Sequence, residues 1–91
     1  MVIVVFKSTP RPGIDRVEYE RTFGRMFELA SQMPGFHSIE GYSSEGGDEL
    51  AIVRFESEET LAAWRNQPEH VRVQERARTE FYDAYQTYFS E

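Results

Sequence analysis

The sequence has no cysteine among its 91 residues. A disulfide framework, a thiolate nucleophile, an iron–sulfur cluster and a thiolate zinc site are therefore excluded. Basic residues are also few: ten lysines and arginines face 16 acidic residues, which leaves a net charge of −6. Nucleic-acid backbones and anionic membrane surfaces are bound by clustered positive charge. We therefore expect neither nucleic acid nor a membrane as a partner.

Long hydrophobic runs and the common catalytic motifs are missing as well. The apolar run at residues 2–6 is too short to span a bilayer, and it lacks the basic flank and small-residue cleavage site of a secretory signal. The chain contains no GxGxxG, Walker, GxSxG or HExxH motif, so nucleotide, phosphate and triad chemistry have no support. We expect a cytoplasmic protein.

Aromatic residues are plentiful: seven phenylalanines, five tyrosines and one tryptophan. A chain of this length forms one domain, here residues 1–91. Such a domain buries only about 60–65% of its unfolded surface, so its own core is marginal. Large aromatic side chains need a dry environment. The composition therefore points to an interface or a pocket.

The first half of the chain predicts a strand, a helix and a hairpin. The β-branched residues 2–5 begin a strand over 2–9, which Pro10-Arg-Pro-Gly13 ends. Asp15 is the expected N-cap of a helix that stops at Pro34-Gly35, with Glu18 completing a capping-box pattern. Its apolar residues recur at helical spacing: Val17, Tyr19, Phe23, Met26, Phe27, Ala30 and Met33. Segments 36–43 and 49–56 flank a Gly-Gly turn typical of a hairpin.

The second half predicts helices and a final strand. Ser57 caps a short helix whose buried side carries Leu61 and Trp64. A second helix begins at Pro68 and runs to about Thr79, and residues 81–89 predict the last strand.

This order of elements is typical of an α+β, ferredoxin-like βαββαβ fold, with helices on one face of a four-stranded antiparallel sheet. Val, Ile, Phe and Tyr occur at both parities of the strands. The second face of the sheet should therefore not remain exposed to solvent, and we expect a homodimer that pairs through it.

The most distinctive segment runs from Trp64 to Gln74. His70, Gln74, Ala77 and Phe81 fall on one helix face, which places polar groups on a side that should be buried. Buried polar atoms need partners. One hypothesis is a pocket between helices and sheet, with Trp64 as a wall and His70 as acid, base or ligand. The alternative is a core Trp64 and a locally hydrogen-bonded His70, because one histidine and one indole make no catalytic unit.

The remaining candidates are weaker. His37 has no second metal ligand at a suitable spacing, so we expect it at the surface or in an interface. Tyr42, Tyr82, Tyr85 and Tyr88 could donate phenol groups to a substrate, although aromatic residues on strands more often pack. We read Glu58-Glu59 as a solvated helix start.

Four stretches resemble the antibiotic biosynthesis monooxygenase family: VIVVFKSTPRPG, PGF, WRNQPEHVRVQ and FYDAY. The resemblance covers essentially the whole chain and is closest to small stand-alone bacterial members. It implies a dimeric α+β barrel, in which two ferredoxin-like protomers pack sheet to sheet. Each protomer of such a barrel has a pocket between its helices and its sheet.

The resemblance also implies an activity. Characterised members of the family oxidise polycyclic aromatic phenols with dioxygen and use no metal or flavin, because the deprotonated substrate itself reduces oxygen. We therefore expect a cofactor-independent monooxygenase that acts on a small aromatic or quinol-like molecule. The expected catalytic residues are His70 and Trp64, and the expected substrate-binding residues are Gln74, Tyr82, Tyr85, Phe23 and Phe27.

Two alternatives stay open. The chain could be a non-catalytic dimer that binds a hydrophobic metabolite. It could also handle haem, because a haem-degrading branch of the superfamily uses a tryptophan resembling Trp64 and a histidine ten residues later. Here Gln74 occupies that later position, and an amide is a poor substitute for an axial imidazole. The first strand offers Phe6, Lys7 and Ser8 where that branch has asparagine, so the sequence favours the monooxygenase.

Overall fold

The first strand lies inside the sheet and organises the others. β1 (Val2–Pro10) pairs antiparallel with β3 (Glu49–Phe55) on one side and with β4 (Tyr82–Ser90) on the other. β2 (Phe36–Ser43) pairs with β3 at the far edge, which gives the order β2-β3-β1-β4. The structure, a computed structural model, describes residues 1–90. This architecture confirms the predicted ferredoxin-like α+β fold.

The three helices begin at their predicted caps. The Asp15 carboxylate accepts a hydrogen bond from the backbone N–H of Glu18 at 3.1 Å and starts α1 (Arg16–Ser31). Ser57 and Thr60 form a capping box at α2 (Glu58–Arg65), and Pro68 is the first residue of α3 (Pro68–Glu80). No helix within residues 1–90 is long and apolar enough to cross a membrane.

Two details of α1 differ from the prediction. The Glu18 carboxylate pairs with Arg21 and Arg76, so the expected reciprocal bond to the N-cap is replaced by ion pairs. Val17 is 76% exposed, whereas Met26 is buried. Their separation of nine positions corresponds to about two and a half turns, which places Val17 on the opposite side of the helix.

The core lies between the helices and one face of the sheet. Even-numbered residues of β1 face the helices, because Val2 and Val4 are buried against residues of α1 and α2. The main cluster also contains Met26, Ala30, Phe55, Leu61 and Trp64. A second, aromatic cluster at the other end contains Tyr19, Ala77, Phe81 and Tyr82.

The opposite face, which we call the open sheet face, is covered by none of the helices within residues 1–90. Its apolar centre is formed by odd-numbered β1 residues and their neighbours, since Val5 lies opposite Ile52 on β3 and Lys7 lies opposite Leu50. Polar pairs surround that centre, including Lys7 with Asp48 at 3.6 Å and Arg54 with Glu40. The apolar centre leaves this face suited to a partner surface.

Two register shifts redirect side chains at the ends of the sheet. On β2 the pairing passes from Phe36 to Ser38, which leaves His37 as an extra residue. His37 is exposed, and its Nε2 lies 2.5 Å from the Glu56 carboxylate, in agreement with its expected surface position. On β4 the pairing passes from Tyr82 to Ala84, which brings Tyr82 and Tyr85 to the same side of the sheet.

We predict opposite effects from alanine at two glycines. Gly24 lies in α1, and a Cβ there would meet nothing within 4 Å, so Gly24→Ala should stabilise the fold by about 0.5–1 kcal/mol. Gly35 has φ +82, and a Cβ there would lie 2.6 Å from Thr60. Gly35→Ala should therefore destabilise the fold. Urea unfolding at one fixed protein concentration measures both changes, and a destabilising Gly24→Ala would contradict the α1 geometry.

Candidate functional site

A cavity of about 470 Å³ lies between the helices and the sheet. The sheet side is lined by Phe6, Ile39 and Val53, and α1 contributes Phe23, Met26 and Phe27. Trp64, His70 and Gln74 close it from α2 and α3. Phe27 is 51% exposed, so the cavity opens to solvent beside α1. A pocket therefore lies beside Trp64, while Trp64 itself is buried in the main core cluster, as the alternative interpretation expected.

His70 is fixed in place by the turn that joins α2 and α3. Its backbone N–H donates to the Gln67 side chain at 2.8 Å, and its Nδ1 lies 3.0 Å from the Trp64 carbonyl oxygen. The imidazole stacks on the Trp64 indole, with ring centres 3.9 Å apart and planes inclined by 10°. Pro68, at the first position of α3, has a backbone φ suited to a helix start, and His70 follows two residues later.

These contacts determine which nitrogen of His70 carries the proton. The Trp64 carbonyl can only accept, so Nδ1 is the protonated nitrogen and donates to it. Nε2 then has a free lone pair, and the Gln74 amide nitrogen donates to it at 3.1 Å. Gln74 lies one helical turn after His70, as the predicted polar face required. The arrangement holds His70 in its neutral form with Nε2 as an acceptor.

The electrostatics of the site favour the same form. Burial lowers the pKa of His70 below its ordinary value, and the positive charge of Arg65 acts in the same direction. The hydrogen bond to the Trp64 carbonyl opposes this shift in part. A neutral imidazole at pH 7 can accept a proton, which is the state that a general base requires.

Five of the seven predicted site residues meet at this cavity: Trp64, His70, Gln74, Phe23 and Phe27. Tyr82 is 3% exposed and packs in the aromatic cluster, where burial raises the pKa of its phenol. Tyr85 is 45% exposed and stacks on Phe6 with ring centres 6.1 Å apart. Within residues 1–90, the cavity wall includes neither tyrosine, so the structure does not place these phenols at the site.

The α3 face that carries His70, Gln74, Ala77 and Phe81 therefore lies in two environments. His70 and Gln74 line the cavity, whereas Ala77 and Phe81 are buried in the aromatic cluster. Tyr82 belongs to that cluster because the register shift turns it inwards, next to Phe23 at 6.1 Å between ring centres. The pocket thus extends along only the first part of this α3 face.

The sequence analysis missed several lining residues. Phe6, Thr87 and Phe89 line the cavity, and strand alternation could have found them, because they share the helix-facing parity with the buried Val4. Arg65 and Arg78 also line it. No sequence signal separates these two arginines from those elsewhere on the helices.

A family model described as antibiotic biosynthesis monooxygenase matches residues 1–76. The protein YqjZ of Bacillus subtilis, described as uncharacterised, is 30% identical over 67 residues, which cover 74% of this chain and 59% of YqjZ. The chain thus matches less than two thirds of the length of that curated relative.

Solved structures share the fold at low sequence identity. Rv0793 from Mycobacterium tuberculosis superposes with a TM-score of 0.85 at 20% identity, covering 99% of this chain and 92% of that one. SnoaB, a cofactor-independent oxygenase from Streptomyces nogalater, gives a TM-score of 0.82 at 15% identity, covering 99% and 90%. These structures show the fold, and the family model that matches residues 1–76 places the chain in the antibiotic biosynthesis monooxygenase family.

Proposed function

We propose that the protein is a cofactor-independent monooxygenase that oxidises a small aromatic or quinol-like substrate with dioxygen. The observation that carries the proposal is the open, aromatic-lined cavity with the lone pair of His70 Nε2 at its wall. A volume of about 470 Å³ lies in the range of small-molecule sites. Family membership and the fold shared with the oxygenase SnoaB support the reaction class.

The proposed reaction begins with a proton transfer. A phenolic hydroxyl of the substrate displaces the Gln74 amide and gives its proton to His70 Nε2. The resulting phenolate is electron-rich enough to reduce dioxygen, so the substrate itself is the reductant. A carbon of the phenolate forms a bond to dioxygen, and the O–O bond and the C–H bond at that carbon then break. One oxygen atom stays on the carbon. The other leaves as water, whose two protons are the one that His70 returns and the one from the broken C–H bond.

The protein contributes position and environment. Phe23 and Phe27 hold the ring system from α1, and Trp64 keeps the imidazole plane fixed by stacking. The displaced Gln74 amide remains close enough to donate a hydrogen bond to the developing anion. Apolar walls limit water around the reactive phenolate.

A second candidate is a non-catalytic dimer that binds a hydrophobic metabolite. One observation favours it: both ring nitrogens of His70 already have partners inside the protein. A histidine satisfied in this way can serve the α2–α3 turn alone. Ligand-induced thermal stabilisation without product formation would support this candidate, because a ligand selective for the folded state raises its stability.

We also propose that the functional unit is a homodimer of single domains, 1–91, that pair through the open sheet face. Glu91 lies outside the described residues. Ile3, Val5, Leu50 and Ile52 give this face an apolar centre, which a second copy would cover. A cytoplasmic location remains our prediction.

Oxygen consumption tests the activity. With a panel of anthrones and hydroquinones, we expect uptake above the buffer rate, and we expect His70→Ala to lower kcat/KM by about a hundredfold or more, as for loss of a general base. The matched control is His37→Ala, which removes the exposed histidine of β2 and should leave the rate unchanged. Full turnover by His70→Ala would remove His70 from the mechanism, and absence of turnover in the wild type would favour the binding protein.

The protonation state of His70 makes a stability prediction. Below about pH 6.5 an unfolded histidine binds a proton, whereas the folded His70, with its lowered pKa, binds it only at lower pH. The unfolded state then holds more protons. The contribution of His70 to the free energy of unfolding is therefore fully present above about pH 6.5 and is lost as the pH falls below it. Between about pH 7.5 and pH 5.5, the free energy of unfolding measured in urea should fall more for the wild type than for His70→Gln. Equal losses would contradict a neutral, buried imidazole.

Sedimentation tests the dimer. At micromolar concentration the wild type should sediment at twice the 10.7 kDa mass of the chain, and Ile52→Lys should sediment as a monomer because it places a charge in the apolar centre. Glu40 lies opposite Ile52 on β2, so its carboxylate can pair with the new lysine and the monomer should still fold. The control Val17→Lys adds the same charge at an exposed site of α1 and should remain dimeric. A monomeric wild type would show that the open sheet face has another role.

A further inference from the structure

The basic side chains fall into two groups. Most of them pair with a carboxylate within residues 1–90: Lys7, Arg11, Arg16, Arg21, Arg25, Arg54 and Arg76. Arg65, Arg72 and Arg78 make no ion pair within those residues. Two of these three, Arg65 and Arg78, line the cavity. The guanidinium groups that lack a carboxylate in the described part of the chain are thus concentrated at the candidate site.

Both cavity arginines are held against β4. The Arg65 guanidinium lies 4.7 Å from the centre of the Phe89 ring, and that of Arg78 lies 5.7 Å from the centre of the Tyr85 ring. Phe89 and Tyr85 pair with Val4 and Ser8 of β1, which are buried on the helix side. Both rings therefore face the helices.

Thr87 lies between these two rings along β4 and lines the cavity itself. Tyr85 and Phe89 are four positions apart along the strand, a distance of about 13 Å. One guanidinium is thus positioned on each side of Thr87. Stacking on a ring leaves the N–H groups at the edge of the guanidinium directed outwards, where they can donate to an oxygen anion.

The charge around the cavity differs in sign from that of the whole chain. The chain carries a net charge of −6, and its surface should repel an anion. Among residues 1–90, the cavity wall contains Arg65, Arg78 and one carboxylate, Glu75, while His70 is held neutral. The wall therefore has a net positive charge, and an anion that reaches it gains attraction that the rest of the surface does not offer.

We propose that the cavity selects an aromatic carboxylate, with the ring among Phe23, Phe27 and Trp64 and the carboxylate over Thr87, between Arg65 and Arg78. The inference rests on the proposed use of the cavity as a ligand site and adds the charge of the ligand. The ring of an aromatic acid would pack against the phenylalanines, and its carboxylate would accept hydrogen bonds from the arginines. Because both guanidinium groups are exposed, their attraction is screened by salt.

The test compares two ligands that differ only in charge, 2-naphthoate and 2-naphthamide. Neither ligand has a phenol to oxidise, so binding is measured apart from turnover. Isothermal titration gives the two dissociation constants, and the fluorescence of Trp64, the only tryptophan, reports occupancy of the cavity. At low salt we expect the wild type to bind the carboxylate about tenfold more tightly than the amide, from two exposed charge contacts.

Variants assign the preference to its residues. Arg65→Gln/Arg78→Gln should bind both ligands equally, whereas the control Arg72→Gln should keep the preference. Arg72 is exposed on α3, outside the cavity wall, and its loss removes the same unit of charge. Circular dichroism checks the fold of each variant. Independently of the variants, raising the salt concentration should reduce the preference of the wild type.

The possible failures are distinguishable. Equal binding of the two ligands by the wild type would overturn the charge selection and leave the cavity as a ligand site. A preference that survives in Arg65→Gln/Arg78→Gln, or disappears equally in Arg72→Gln, would overturn the assignment to these arginines. If neither ligand binds and Trp64 fluorescence is unchanged, both this inference and the proposed use of the cavity are overturned.

Discussion

The stacking of His70 on Trp64 determines what the helix-covered side of the sheet can do. The hydrogen bond from Nδ1 to the Trp64 carbonyl, 3.0 Å long, ties the start of α3 to the end of α2. The two helices pack on the sheet through Leu61, Trp64 and Ala77 and leave a cavity of about 470 Å³ beside these contacts. The same bond fixes the tautomer of His70 and gives the cavity an acceptor at Nε2. One contact thus serves both the local fold and the candidate chemistry.

The two faces of the sheet differ in what they contact. Even-numbered residues of β1 pack under the helices, and odd-numbered residues form the centre of the open sheet face. A 91-residue chain has too few helices to cover both faces. A partner on the open sheet face would add apolar burial without filling the cavity.

Local signals in the sequence predicted much of the fold. Asp15, Ser57 and Pro68 mark helix starts through their own side chains or ring, and the structure places all three helices accordingly. The grouping of His70 with Gln74 followed from helix periodicity alone. Such features depend on residues close together in the chain, which is why a sequence pattern contains them.

Features that depend on register or distance could not be predicted. The shift that turns Tyr82 into the aromatic cluster arises from one extra residue in the pairing of β1 with β4, and no local pattern marks it. Whether the space beside Trp64 is empty depends on residues from β1, β2, β3 and α1 together. The positions of Arg65 and Arg78 over Phe89 and Tyr85 depend on how α2 and α3 lie across β4.

A crystal structure of the protein with a bound naphthol tests the account most directly. The account predicts a ring between Phe23, Phe27 and Trp64, with its hydroxyl within hydrogen-bonding distance of His70 Nε2 and the Gln74 amide displaced. A structure with the cavity filled by protein side chains, or with the naphthol bound elsewhere and the Gln74–His70 bond intact, would contradict it.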